Sequence, residues 1–237
     1  MKRKLIIAAL ALVIVIAGVS VYLYNSIDSI VKNAIEHFGT EICGTSVSVG
    51  SVDISLKSGR GTLRNVHVRN PDGFSGGNAM ELGEVTVEIS VGSLNRDPII
   101  IQEIRVLAPV VNAEINDKLA TNLGVIRDHV GNYQAAAAKP AGKQDSGFEK
   151  HFVIRSFVME EGKIEGDATS VGGKKGEFAL PPVELSNVGG TRGSRPEALG
   201  KVLCAAMFAR AEKAAADELK AGAVHKLEGK LGDIIGK

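Results

Sequence analysis

The sequence contains no tryptophan, only two cysteines, and aromatic residues at 4% of 237 positions. So few flat rings exclude the stacked aromatic platforms on which single-stranded nucleic acids and sugar rings rest. Net charge is also missing: 28 Lys and Arg stand against 27 Asp and Glu, leaving +1. Such a balance gives no broad field to recruit a polyanion, and nucleic acid is excluded as a partner. Two cysteines exclude a disulfide-dense miniature scaffold and a four-cysteine metal site. Short catalytic signatures are lacking as well. His37, His67, His129, His151 and His225 are scattered without HExxH spacing, there is no G-x-S-x-G elbow, and the cysteines do not form C-x-x-C. These absences predict a protein that is not an enzyme and uses no cofactor or metal.

What is present begins with an apolar run. Lys2, Arg3 and Lys4 precede Leu5 to Tyr24, which carries no charged residue. At about 1.5 Å per residue the run reaches about 30 Å, the thickness of a bilayer core. It predicts an N-terminal transmembrane anchor (1–25) with the basic residues cytoplasmic and the remainder exported; the alternative is a cleaved signal peptide. On the exported side Cys43 and Cys204 have two readings, a disulfide closing a very long loop or two buried thiols.

Beyond the run, Ile27, Ile30, Val31, Ala34, Ile35 and Phe38 form a stripe at helical spacing, capped by Ser26 or Asp28 and ended by Gly39. From Thr45 to Asn116 the period is two, with Asn70-Pro71-Asp72-Gly73 as a turn. Asn122 is a candidate cap for a helix carrying Leu123, Ile126 and Val130, extended by the alanines up to 138. Residues 139–147 read as a linker, 148–190 as further strands in which Pro181-Pro182 marks an edge, and 191–237 as an amphipathic helical segment. In that segment Leu199, Val202, Leu203, Ala206 and Met207 share a face.

Within the strands one six-residue unit recurs: apolar, two spacers, apolar, spacer, apolar. It occurs as Val49/Val52/Ile54, Leu63/Val66/Val68, Leu82/Val85/Val87, Ile101/Ile104/Val106 and Ile154/Phe157/Met159, and more loosely as Leu180/Val183/Leu185. A flat strand would turn the first residue of each unit away from the other two. One β-bulge at the central pair returns all three to one face and bends the strand. The pattern predicts an α+β, mainly β fold: a curved, bulged antiparallel sheet with one apolar face, flanked by helices.

The order of these features resembles the AsmA-like family of bacterial envelope proteins, which are distantly similar to chorein-type lipid-transfer proteins. The resemblance rests on the anchor, the helix to Phe38, Gly44 to Leu56, Val68 to Phe74 (VRNPDGF), Leu82 to Ile89, Ile101 to Pro109, Asn122-Leu123, and Leu180 to Gly190 before an Ala-rich helix. It covers residues 26–138 as helix plus sheet and continues through the later strands. It implies a short member placed in the inner membrane through residues 5–24, N-terminus cytoplasmic and bulk periplasmic. Its implied function is to bind or help transfer membrane lipid, phospholipid above all, for envelope maintenance. The units above would be the lipid contacts, on a trough of eight to ten strands roughly 40 Å long at about 4.8 Å per strand. An ordinary core covered by the helices is the competing account of the same residues. The alternative function is a structural or assembly subunit that meets an envelope partner through a sheet edge or the C-terminal helix.

Three further features have bland readings. Glu160-Glu161 marks a turn more readily than a catalytic dyad. The loop Gly189 to Gly193, with Arg192, could meet a phosphate through its backbone N–H groups, yet Gly-rich turns are far commoner. His37 with Glu36 and Glu41 is most simply a solvated helix face.

Overall fold

A computed structural model describes residues 27–134, 150–169 and 175–235, with side chains as far as Asp217. The first helix, α1 (27–43), runs past Gly39. That glycine lies against β1 (Val47–Ser55), where a Cβ would come within 3.0 Å of Val47 Cγ1. Its role is close approach, and the helix ends at Gly44, which takes the left-handed φ of +67° that an L side chain resists. There follow β2 (Arg60–Arg69), β3 (Asn78–Ile89), β4 (Ile99–Leu107) and β5 (Val110–Glu114). Helix α2 (Asn122–Asn132) leads to β6 (Phe152–Glu160), β7 (Gly162–Asp167), β8 (Lys175–Leu180), β9 (Val183–Val188) and the long α3 (Pro196–Ile235).

The nine strands form one sheet, but only six strand-widths across. β4 and β5 both pair with β3, at Glu84↔Leu107 and Glu81↔Val110, so they are two halves of one line. β6 and β7 run alongside them with a constant offset (Leu107↔Glu160, Val110↔Lys163), and β8 and β9 form the outermost line. Five gaps of about 4.8 Å make about 24 Å, shorter than the trough anticipated from counting strands. The β4–β6 and β5–β7 pairs are parallel, which corrects the all-antiparallel expectation. A parallel neighbour requires a crossover, and α2 supplies it.

A single crease crosses all six lines, at Gly50, Asn65, Gly83, Ala108, Glu161 and Pro181-Pro182. Asn65, Ala108 and Glu161 take φ of 54°, 48° and 58°. Register is the same on both sides: Val49↔Val66 and Ser51↔Arg64, then Val66↔Leu82 and Arg64↔Glu84. The two-residue spacer in most apolar units is therefore a matched kink in every strand, where a one-sided bulge was expected. A bulge does occur in the Ile101/Ile104 unit, where the pairing passes from Glu88↔Glu103 to Ile89↔Ile101 across Gln102.

Three helices cover the apolar face. Ile42 and Cys43 of α1, Leu123, Ile126 and Val130 of α2, and Leu199, Met207, Phe208, Ala211 and Ala215 of α3 join the strand side chains in one core. Burying the three α2 side chains stabilises by about 1.5–3 kcal/mol each. Val202, expected on this stripe, stands 45% exposed, and Phe208 at 1% takes the inward position. The opposite face is polar, with the cross-strand ion pairs Arg60–Glu88 and Arg64–Glu84.

The membrane assignment requires correction. Residues 5–24 lie outside the described residues, and among the described residues no helix is long and apolar enough to cross a membrane. The two longest helices, α1 and α3, both carry charged side chains along their length. α1 bears Asp28, Lys32, Glu36 and Glu41, and α3 bears Glu197, Lys201, Arg210, Glu212 and Lys213 over the stretch that meets the sheet. The transmembrane helix, the single-pass inner-membrane placement and the periplasmic orientation drawn from it thus have no support in the structure. The 139–147 linker and the alanines at 135–138 also lie outside the described residues, and α2 stops at Asn132.

Candidate functional site

The apolar units assemble as the central strip of the core. Val49, Val52, Leu63, Val66, Val68, Leu82, Val85, Val106, Ile154, Phe157 and Met159 are buried, and Ile54, Val87, Ile101 and Ile104 pack against them half-buried. All fifteen candidate lipid contacts thus share one face, beneath the helices. In this arrangement an acyl chain reaches them only where the helical cover opens. Leu180 and Val183, from the looser sixth unit, are buried on the same face, with Leu185 half-buried.

The core is incompletely filled at the end of the sheet formed by β5, β7 and β8. There a cavity of about 100 Å³ is lined by Ala113, Ile115, Leu123, Phe178 and Ala215, with Glu212 at its rim. Its walls are almost wholly apolar. Besides Glu212, α3 lines it with Ala215 and Ala216, which fill little volume, and Gly166 of β7 adds none. Glu212 is held by an ion pair with Arg127 of α2.

Beside the cavity stands a buried polar hub that the sequence pattern did not reveal. Asn122 is fully buried and makes four hydrogen bonds. Its Nδ2 donates to Asn70 Oδ1 at 2.7 Å and to the Asn112 carbonyl at 2.6 Å. Its Oδ1 accepts from the Glu114 N–H at 2.9 Å and the Leu123 N–H at 2.8 Å. Asn122 is therefore not the cap: Thr121 is, its Oγ1 accepting from the Gly124 N–H at 3.1 Å. The Glu114 carboxylate extends the network to Asn70 Nδ2 and the Ser75 N–H, fixing the turn at 70–77 against β5.

The two sheet edges differ. Three N–H groups along the outer side of β1 are met by one helix stripe with four-residue spacing. Thr40 Oγ1 accepts from Val47 N–H at 3.0 Å, Glu36 Oε1 from Val49 N–H at 2.8 Å, and Asp28 Oδ1 from Ile54 N–H at 2.9 Å. Lys32 Nζ donates to the Gly50 carbonyl at 3.4 Å. α1 thus closes this edge with its polar side while Ile35 and Phe38 face the core. At the other edge, among the described residues, no side chain bonds the outer backbone of β8 or β9; Pro181-Pro182 interrupts it.

Cys43 and Cys204 come together where the three helices meet, with sulfurs 4.0 Å apart and both thiols free. The hydrogen bond to Cys204, and after it burial, push the Cys43 thiol far up. The Cys43 S–H donating to Cys204 holds that thiol lower than usual.

The remaining polar candidates are structural. Glu160 pairs with Arg105, while Glu161 is a crease residue. His37 and Glu41 form an exposed pair on α1, and His151 pairs with Asp97, whose carboxyl is held below its usual range by hydrogen bonds from the His151 backbone and ring. The Gly189–Gly193 loop is a turn in which Gly190 N–H donates to the Asn187 carbonyl at 3.0 Å. On the solvent face, Asn78, Glu81, Asn112, Glu165 and Glu177 line an open cleft of about 690 Å³. There Lys163 bridges Glu165 and Glu177. Among the described residues, no group of three or more His, Cys, Asp or Glu is placed to hold a metal ion.

Comparison with protein-family models, with curated proteins and with solved structures gives no match.

Proposed function

We propose that this chain is a non-catalytic lipid-binding protein that takes the end of an acyl chain between its sheet and α3. The observation that supports this reading is the apolar cavity beneath the alanines of α3, on a sheet face that is apolar from β1 to β9. At about 100 Å³ it is smaller than the ~150 Å³ cavity that holds benzene and well below the roughly 300–1,000 Å³ of a site for a whole ligand. It holds a few carbons, and a longer chain is admitted as the distal part of α3 swings off. Each buried methyl or methylene contributes only about 0.8 kcal/mol, so lifting alanines costs less than lifting the Leu, Ile and Val of α2. The acyl chain then replaces the contacts that α3 gives up. The ligand class implied by the resemblance is phospholipid, and the role is binding or handing on lipid for envelope maintenance.

The test is native mass spectrometry with lipid extraction on the full chain, purified from a lipid-producing host. Phospholipid retained at one or two per chain supports the reading. Homogeneous lipid-free protein that extracts nothing from phospholipid vesicles rejects it.

A second reading, a non-catalytic assembly subunit, is favoured by the unequal edges of the sheet. β1 is sealed by α1, whereas the outer line of β8 and β9 offers backbone groups to a strand from a partner. A lipid-free chain that co-purifies with one protein, and loses it when Ala179 or Glu184 is replaced by Pro, would select this second account.

A further inference from the structure

We propose that Cys43 and Cys204 form an intramolecular disulfide, by exchange with a small-molecule disulfide, that staples the end of α1 to α3. The sulfurs lie 4.0 Å apart with one hydrogen-bonded to the other, and a bond requires about 2.0 Å. The helices are already in close contact at this point. Gly200, one turn before Cys204, lies where a Cβ would be 3.0 Å from Ile42 Cδ1, next to Cys43. Every strand of the sheet, from Val47 to Val188, lies between the two cysteines in the chain. The staple therefore closes a ring through all nine strands and α2, and fixes the end of α1 to the first turns of α3 over the core.

The order of events follows from the hydrogen bond. The Cys43 S–H donates to Cys204, so Cys204 is the sulfur whose negative charge is stabilised and the one that ionises first. Cys204 loses its proton to solvent, and its thiolate attacks one sulfur of the external disulfide, breaking that bond and releasing one thiolate. The released thiolate takes the proton of Cys43, whose sulfur then attacks Cys204 and expels the second thiolate. The sum is two protein thiols and one disulfide giving one protein disulfide and two small thiols. The lipid-binding reading is not required: the staple joins the proximal part of α3, and the cavity lies farther along.

The experiment incubates the full chain with oxidised glutathione, then unfolds it in excess alkylating reagent and reads intact mass. No label on the oxidised chain, two on the reduced chain, and a cross-linked Cys43–Cys204 peptide are expected. Closing so long a loop should raise Tm by on the order of 10 °C over the reduced form. Cys43→Ala should instead retain one glutathione per chain as a stable mixed disulfide on Cys204, because the resolving thiol is gone. Two labels per chain after incubation, or bonds formed between chains, overturn the proposal. An oxidised form that melts no higher than the reduced one overturns its role as a staple.

Discussion

Replacing Asn122 by leucine is the sharpest test of how the turn at 70–77, β5 and α2 are joined. Both side chains branch at Cγ and carry four heavy atoms, so the change removes polarity while keeping the branched shape. Four partners lose their bond: Asn70 Oδ1, the Asn112 carbonyl, the Glu114 N–H and the Leu123 N–H. Each partner left unmet away from water costs about 1–3 kcal/mol, so even the lower figure sums to about 4 kcal/mol. Against a total stability of about 5–15 kcal/mol that is a severe loss. With a urea m-value of about 2 kcal/mol/M, the midpoint should fall by about 2 M. Tm should drop by roughly 8–16 °C. Urea denaturation followed by circular dichroism gives the number, and hydrogen exchange should show the amides of residues 70–77 losing protection first. Asn122→Asp keeps both acceptor bonds but removes both donors and buries a charge, so it should also destabilise. If Asn122→Leu costs less than about 1 kcal/mol, the hub is ornamental and the joining of these elements has to be explained by packing alone.

Glu36→Ala should cost about 1 kcal/mol by unbonding the Val49 N–H, measurable by urea titration. Asp28→Ala combined with Glu36→Ala should in addition produce concentration-dependent association in light scattering, because the β1 edge is then open. Asp167 titrates at about 2 against an ordinary 3.8, held down by the Thr169 hydroxyl, Lys175 and the Thr169 N–H. Its folded value is depressed, so its contribution is present above pH 3.8 and lost as pH falls through about 2. Carbon-detected NMR of the carboxyl should find that midpoint, and Thr169→Val should raise it. Ala113→Leu fills the cavity under α3 and should abolish phospholipid retention while leaving the circular dichroism spectrum unchanged. Retention at the wild-type level would remove the cavity from the argument.

The apolar units could be read directly because side-chain period is local: two spacer residues between Val49 and Val52, or Ile154 and Phe157, betray a kink wherever the partner strand lies. The first helix was legible from Ile27 to Phe38 for the same reason. Its true end was not, because Gly39 serves an approach to Val47 that only the folded sheet creates. Pairing is long-range, so nothing near Leu107 or Glu160 announces that β4 and β6 run in parallel. Breaks such as Ala108-Pro109 and Pro181-Pro182 look like strand ends, yet they lie within continuous lines of the sheet. The polar stripe Asp28, Lys32, Glu36 and Thr40 reads in isolation as a wet face, since its partners are backbone groups. Asn122 resembled a cap because capping is what asparagine does before an apolar run, whereas a buried hub depends on two other chain segments, the turn at Asn70 and β5.

The sealed β1 edge has a consequence in the language of polymer chemistry. A sheet with two open edges is a bifunctional monomer, and adding copies edge to edge can continue without limit. With α1 occupying one edge, this chain is monofunctional. Two copies meeting through their β9 lines consume both reactive ends, and the product is a closed two-fold dimer with nothing left to extend. Chain growth terminates at its first step, so four polar side chains along one face of α1 set the maximum length of any edge-to-edge assembly this protein can make.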